Sequence, residues 1–145
     1  MGFDREVEMI RLARRMDLLT TPYAFNPAEA QAMAKAGADL IVAHLGLTTS
    51  GSIGARSGVK LEDAPAATQA IADAARNVRS DILVLVHGGP VAMPEDAQYV
   101  LTRTRGVHGF YGASSMERLP VEATIRRQIE AFKGLRFAPT GRRRG

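Results

Sequence analysis

The apolar residues of this chain fall into two kinds of run, and the two kinds alternate. Leu40-Ile41-Val42-Ala43 and Ile82-Leu83-Val84-Leu85-Val86 have no polar break, as expected of parallel strands buried on both faces. The stretches around them carry apolar residues three and four apart, the period of a helix with one wet side. Read in order, the pattern predicts a helix over Phe3–Met16, with Val7, Ile10 and Ala13 inward and Arg5, Arg11, Arg14 and Arg15 in water. A strand follows over Leu18–Tyr23, with Pro22 at or beyond its last paired position because proline cannot donate to the ladder. The next helix, Pro27–Lys35, opens at Asn26-Pro27 and closes at Gly37. After it come a strand at Asp39–Ala43 and a helix at Glu62–Arg79 with Ala67, Ile71, Ala74 and Val78 on one face. Then follow a strand at Ile82–Val86, a helix at Met93–Thr104 and a strand at Val107–Tyr111. The last helix, Val121–Phe132, is expected to bury Val121, Ile125, Ile129 and Phe132.

Four strands alternating with helices make an α/β pattern with a parallel sheet. Two architectures compete. An open flavodoxin-like sheet fits the length but usually begins with a strand, whereas this chain begins with a helix. A (β/α)8 barrel takes roughly 250 residues, and 145 residues supply about half of that. The reading favoured here is four βα units forming the second half of a TIM barrel, preceded by one helix. Residues 1–134 would be the half-barrel, and 135–145 a basic tail expected to be disordered.

Composition changes this picture little. The net charge of +4 suggests nucleic acid, but four of the arginines (Arg136, Arg142, Arg143 and Arg144) lie in that tail. The body holds 15 basic residues against 15 acidic, which argues against phosphate-backbone binding. The absence of cysteine excludes disulfides, thiolate metal sites and cysteine nucleophiles, and fits a cytoplasmic location. The acid-bearing N-terminus does not read as a signal peptide, and no apolar stretch reaches membrane-spanning length, so no membrane association is expected.

The candidate chemistry lies at the strand tips. An apolar run, a histidine and a glycine within two residues recur at His44, His87 and His108. His87, ahead of Gly88 and Gly89, is a candidate general acid or base, or a neutral donor to a substrate oxygen. Its structural alternative is a core histidine satisfied by a backbone carbonyl. His44 has the same context. His108 opens its strand, which places it at the stability face and removes it from any three-histidine zinc set. Between Gly106 and Pro120 the last strand stops at Gly112, and Ser114 or Ser115 is positioned to cap a following helix whose free N–H groups suit an anion. No Gly-x-Ser-x-Gly elbow makes either serine a nucleophile.

In a barrel the last two strand ends, here His87-Gly88-Gly89 and Gly112-Ala113-Ser114-Ser115, frequently bind phosphate. The long segment after Gly46, from Leu47 to Gly58, offers Thr48, Thr49 and further hydroxyls and glycines, as binding loops do. It is not a phosphate loop, since no Gly-Lys-Ser/Thr follows. Thr21 and Tyr23 are placed to line the mouth. Glu117 and Arg118 either pair with each other, or Arg118 clamps a carboxylate or phosphate.

Several of these stretches also resemble a known family. They are Thr20-Thr21-Pro22-Tyr23, Ala38-Asp39-Leu40-Ile41-Val42-Ala43-His44-Leu45-Gly46-Leu47-Thr48-Thr49, His87-Gly88-Gly89-Pro90, and His108-Gly109-Phe110-Tyr111-Gly112-Ala113-Ser114-Ser115-Met116-Glu117-Arg118-Leu119-Pro120. Over most of residues 2–134 the chain is similar to the phosphoenolpyruvate hydrolase-like TIM-barrel family of the phosphoenolpyruvate/pyruvate superfamily. The same domain stands behind the nucleotide-binding region of tobamovirus-resistance-like proteins of plants. The resemblance implies a small phosphorylated or keto-acid anion at the strand rim, hydrolase chemistry, and Mg²⁺ in the full-length domain. A family domain is about twice this length, and the superfamily's metal-binding carboxylates sit on earlier strands. No acid stands at the tip of the first three strands here, so no metal ligands are assigned within this chain. Two functions follow as expectations. One is an enzyme domain in which Gly88, Gly89, Ser114 and Ser115 cradle the anion while His44 or His87 moves protons. The other is a non-catalytic ligand-binding or assembly module working with a nucleotide-binding partner. A half-barrel exposes edges and part of its core, so a homo-oligomer or a complementary half-barrel is expected.

Overall fold

A computed structural model describes residues 2–52, 54–55 and 58–135. The basic tail from residue 136 onward, and Ile53, Arg56 and Ser57 of the long loop, lie outside the described residues. The elements run α1 (Phe3–Arg15), β1 (Tyr23–Ala24), α2 (Pro27–Ala36), β2 (Leu40–His44), α3 (Ala64–Arg76), β3 (Leu83–His87), α4 (Pro94–Leu101), β4 (Gly109–Phe110), α5 (Ser114–Glu117) and α6 (Leu119–Lys133). The four strands form one sheet in the order β1-β2-β3-β4, every pair parallel.

That order separates the two architectures weighed above. Doubly wound sheets reverse their order and place helices on both faces. Here each strand pairs with its sequence neighbours, and α1, α2, α3 and α4 pack successively against one another. This is the wall of a barrel: consecutive βα units with one helical layer. Ile41, Ala43, Ile82 and Val84 face that layer, packed with Met33, Ala34, Ile71 and Ala75. Val86 continues the core with Val91 and Val100. Leu40, Val42, Leu83 and Leu85 alternate to the opposite face, in register Leu40↔Leu83 and Val42↔Leu85. Leu83 there is 47% exposed.

Local chemistry explains the boundaries. Asn26 Oδ1 accepts from the Glu29 N–H at 3.0 Å and Glu29 Oε2 accepts from the Phe25 N–H at 2.7 Å, closing the predicted cap of α2. Gly37 ends that helix in the left-handed region. Asp39 ties α1 to the sheet, accepting from the Thr20 N–H (2.8 Å), the Thr20 hydroxyl (2.9 Å) and the Arg14 guanidinium (2.6 Å).

Five expectations need correction. The first strand does not span Leu18–Tyr23 with Pro22 at or beyond its last paired position; Pro22 precedes the paired residues, Tyr23 and Ala24. The Leu40 and Val42 N–H groups donate to the Thr20 and Pro22 carbonyls, but Pro22 has no N–H to return to the sheet, so the ladder is complete only from Tyr23. The helices predicted over Glu62–Arg79 and Met93–Thr104 are shorter, their outer turns opening into single-turn bonds. The last strand is two residues, although the His108 and Tyr111 N–H groups extend its bonding to Val84 and Val86. The last helix is the largest departure. Val121, Ile125, Ile129 and Phe132 share a face as the spacing requires, yet all are 50–64% exposed. Only Leu119 of α6 is buried.

Candidate functional site

Strands β2 and β3 end together, with His44 directly opposite His87 in the parallel register. The recurring histidine is therefore a spatial pair, with ring centroids 4.7 Å apart at 74°. Both rings line a hollow of about 300 Å³ at the carboxyl ends of the strands, with Gly46, Leu47, Thr48, Ala55, Ala113, Ser114 and Arg118. Strand ends, the long loop after β2 and the turn after β4 thus converge on one rim, where α/β barrels place their ligands.

The two imidazoles are held in opposite tautomers. His44 Nδ1 accepts from the Gly46 N–H at 3.0 Å, which puts its proton on Nε2 and makes that atom a donor. His87 Nδ1 lies 2.6 Å from the Tyr111 carbonyl oxygen. A carbonyl can only accept, so Nδ1 carries a proton, and the neutral tautomer this selects has its lone pair on Nε2. Burial, with the neighbouring His87 adding to it, holds the His44 pKa below the ordinary 6.5. His44 is therefore neutral at pH 7. One rim thus carries the His44 Nε2–H donor beside the His87 ring, whose Nδ1 is committed to a backbone carbonyl.

An aromatic shell fixes both rings. Tyr23 stacks on His87 at 5.1 Å and 26°, and lies 4.9 Å from His44. Phe25 packs 4.5 Å from His44 and Tyr111 5.8 Å from His87. Phe25 lies outside the motif stretches, and the Tyr111 carbonyl is a backbone group that no side-chain pattern marks; both are recruited by the register of β1 and β4 against β2 and β3.

Arg118 supplies the positive charge. Its Nη1 donates to Glu122 Oε1 at 2.8 Å and its Nη2 to the Ser50 carbonyl at 3.2 Å. The second Glu122 oxygen accepts from the Ser52 N–H at 3.0 Å. That backbone bond first, and the Arg118 bond second, hold the Glu122 carboxyl below the usual carboxylate range. Of the two alternatives for Arg118, the pair with Glu117 is not formed: Arg118 stands at the junction of α5 and α6 and reaches Glu122, its i+4 neighbour.

The remaining candidates scatter. His44, Gly46, Thr48, His87, Ser114 and Arg118 line the hollow. Thr21 and Tyr23 border a separate hollow with Glu6, Met9 and Phe25, although Tyr23 reaches the histidines through its ring. Gly88 and Gly89 are buried, and the Gly89 N–H is spent on the Gly46 carbonyl at 2.7 Å, so it is not free for an anion. Thr49 bonds the Gly89 carbonyl through its own N–H at 3.1 Å. Gly112 and Glu117 are exposed outside the hollow. Neither serine caps a helix: Ala113 occupies the cap of α5, a single turn without a side-chain cap bond, and Ser115 Oγ is buried without a hydrogen-bond partner among the described residues. His108 lies at the opposite end of the sheet, its Nδ1 accepting from the Val84 N–H at 3.0 Å.

Among the described residues no three of His, Asp and Glu gather as a metal site, and no helix is long and apolar enough to cross a membrane. The Mg²⁺ implied by the resemblance does not fit this donor set. A hard cation takes oxygen ligands, whereas the hollow is lined by two imidazoles and a guanidinium and by no carboxylate.

The chain is 63% identical over 135 residues to the ToMV susceptible protein tm-1(GCR26) and to the ToMV resistance protein Tm-1(GCR237), both of Solanum lycopersicum. Each match covers 93% of this chain and 18% of the relative. It is 34% identical over 135 residues to the putative transcriptional regulatory protein y4pA of Sinorhizobium fredii, covering 22% of that protein. The chain therefore spans about a fifth of the length of the curated relatives it matches. A nitroalkane oxidase from Streptomyces ansochromogenes superposes with a TM-score of 0.45 at 27% identity, over 76% of this chain and 31% of that one. The phosphoenolpyruvate hydrolase-like family model matches residues 1–135, and the chain belongs to that family.

Proposed function

We propose that the rim hollow binds a small phosphorylated or keto-acid anion of the phosphoenolpyruvate type, and that the assembled domain hydrolyses it. The observation that carries this reading is the convergence of His44, His87, Ser114 and Arg118 on one hollow. Its volume, about 300 Å³, suits a ligand at the small end of the usual range. Arg118 and Ser114 take the negative group. His44 donates its Nε2–H to a substrate oxygen. His87 Nε2 accepts a proton from the attacking water, while the Tyr111 carbonyl holds the ring and steadies the imidazolium that results. If a divalent ion serves the reaction, its carboxylates come from βα units outside this chain.

The sheet face bearing Leu83 is open at that residue and needs closing there, because parallel sheets are stable with both faces covered. In this proposal these four strands are the later half of a barrel, closed by complementary βα units or a second copy, in a reducing cytoplasm.

Thermal unfolding with phosphoenolpyruvate, at up to millimolar concentration, tests the binding. Ligand at a hundred times its Kd stabilises by about 2.7 kcal/mol, a readily measured rise in Tm, and no rise overturns the proposal. Phosphate release measured in parallel tests the reaction. The lack of a lining carboxylate favours a second reading, a binding or assembly module without turnover. Stabilisation without phosphate release selects it.

A further inference from the structure

The loop after β2 meets α6 at one close contact beside the hollow. Gly51 sits there at φ +90°, and a Cβ on it would lie 2.7 Å from Glu122 Oε2 and 2.7 Å from Leu119 Cδ2, and would also run into Arg118 Nη1. On either side of Gly51, the Ser50 carbonyl accepts from Arg118 and the Ser52 N–H donates to Glu122. Further back, the Thr49 N–H fastens the loop to Gly89 of the β3 rim. Ser50, Gly51, Ser52 and Glu122 do not line the rim hollow; they border a different one. Arg118 lines the rim hollow and, through its bonds to Ser50 and Glu122, joins it to the other, with its side chain 20% exposed.

Among the described residues two of the five guanidinium N–H donors are thereby engaged, and three remain for a ligand. A long arginine side chain has many rotamers, and the three-way clasp selects one. We propose that Glu122 and the Ser50–Ser52 segment are positioning residues for Arg118, so that the loop and the anion site act on each other through one guanidinium. This rests on the anion reading above. By linkage, an anion on Arg118 steadies the loop as much as the loop favours the anion.

The test is a double-mutant cycle read by calorimetric titration with inorganic phosphate. Gly51→Ala, although outside the hollow, is expected to weaken phosphate binding by about tenfold, within the range of such couplings. In an Arg118→Gln background it should have no further effect. Glu122→Gln, which keeps an acceptor for Arg118, should retain affinity where Glu122→Ala loses it. Amide exchange at Ser52 should slow when phosphate binds. Should Gly51→Ala misfold, as circular dichroism would show, the Glu122→Ala and Arg118→Gln pair carries the same cycle. Phosphate binding that depends on Arg118 but ignores Gly51→Ala and Glu122→Ala, or equal losses in both backgrounds, overturns this inference and leaves the anion site standing. A wild-type chain that binds no phosphate overturns both.

Discussion

Two glycines at the rim have the same sign of φ and different surroundings, which allows the steric part of their role to be measured. Gly89 lies at φ +59° and Gly46 at φ +100°. An alanine Cβ at Gly89 would stand 2.5 Å from the Leu45 carbonyl oxygen and 2.9 Å from the Leu45 Cβ, whereas at Gly46 nothing lies within 4 Å. The Leu45 backbone cannot retreat freely. Its N–H is bonded to the His87 carbonyl at 2.9 Å, and the Gly46 carbonyl receives the Gly89 N–H at 2.7 Å. Left-handed backbone costs an alanine about 1–2 kcal/mol, and overpacking against fixed atoms adds about 1–3 kcal/mol. Gly89→Ala should therefore destabilise by about 2–5 kcal/mol, and Gly46→Ala by about 1–2 kcal/mol. Urea unfolding measures both. At a slope of about 1.5 kcal/mol per molar, the midpoint falls by about 1–3 M for Gly89→Ala and about 1 M for Gly46→Ala. Gly89→Asn, which tolerates the backbone but keeps the contact, should recover less than about 1 kcal/mol. Equal losses at the two glycines would refute the packing of the β3 turn on Leu45.

Other consequences follow from the same geometry. His44 has a folded pKa below its unfolded 6.5, so the unfolded chain binds the extra proton. Stability should then fall as pH drops from 6.5 toward the lower folded value. His44→Asn, with its oxygen in place of Nδ1, should flatten that slope in urea titrations from pH 7 to 5. Asp39→Ala removes three hydrogen bonds and should cost about 2–3 kcal/mol by equilibrium unfolding. The Asp39 pKa is lowered, chiefly by the Thr20 N–H. Its contribution is therefore present above pH 3.8 and lost as pH falls through the depressed folded value. Ile125→Gln and Ile129→Gln sit on an exposed face and should change stability by less than about 0.5 kcal/mol. A larger loss would place that face against another surface, and sedimentation of wild type and variant would show whether that surface is a second copy.

Periodicity and turn chemistry are properties of a few neighbouring residues, so the sequence alone determined the α/β alternation, the cap at Asn26, the helix end at Gly37 and the places of His44 and His87 at equivalent strand tips. The position of His108 away from the rim was legible for the same reason, since it precedes its apolar run where the others follow theirs. Tertiary structure decided what depends on partners distant in sequence. The tautomers of His44 and His87 are set by Gly46 and Tyr111. The partner of Arg118 is Glu122, and the Gly89 N–H turns to Gly46 instead of facing a ligand. An apolar stripe on α6 reads the same whether or not something covers it: spacing defines a face, and only the packing of the remaining elements decides whether that face meets protein or water.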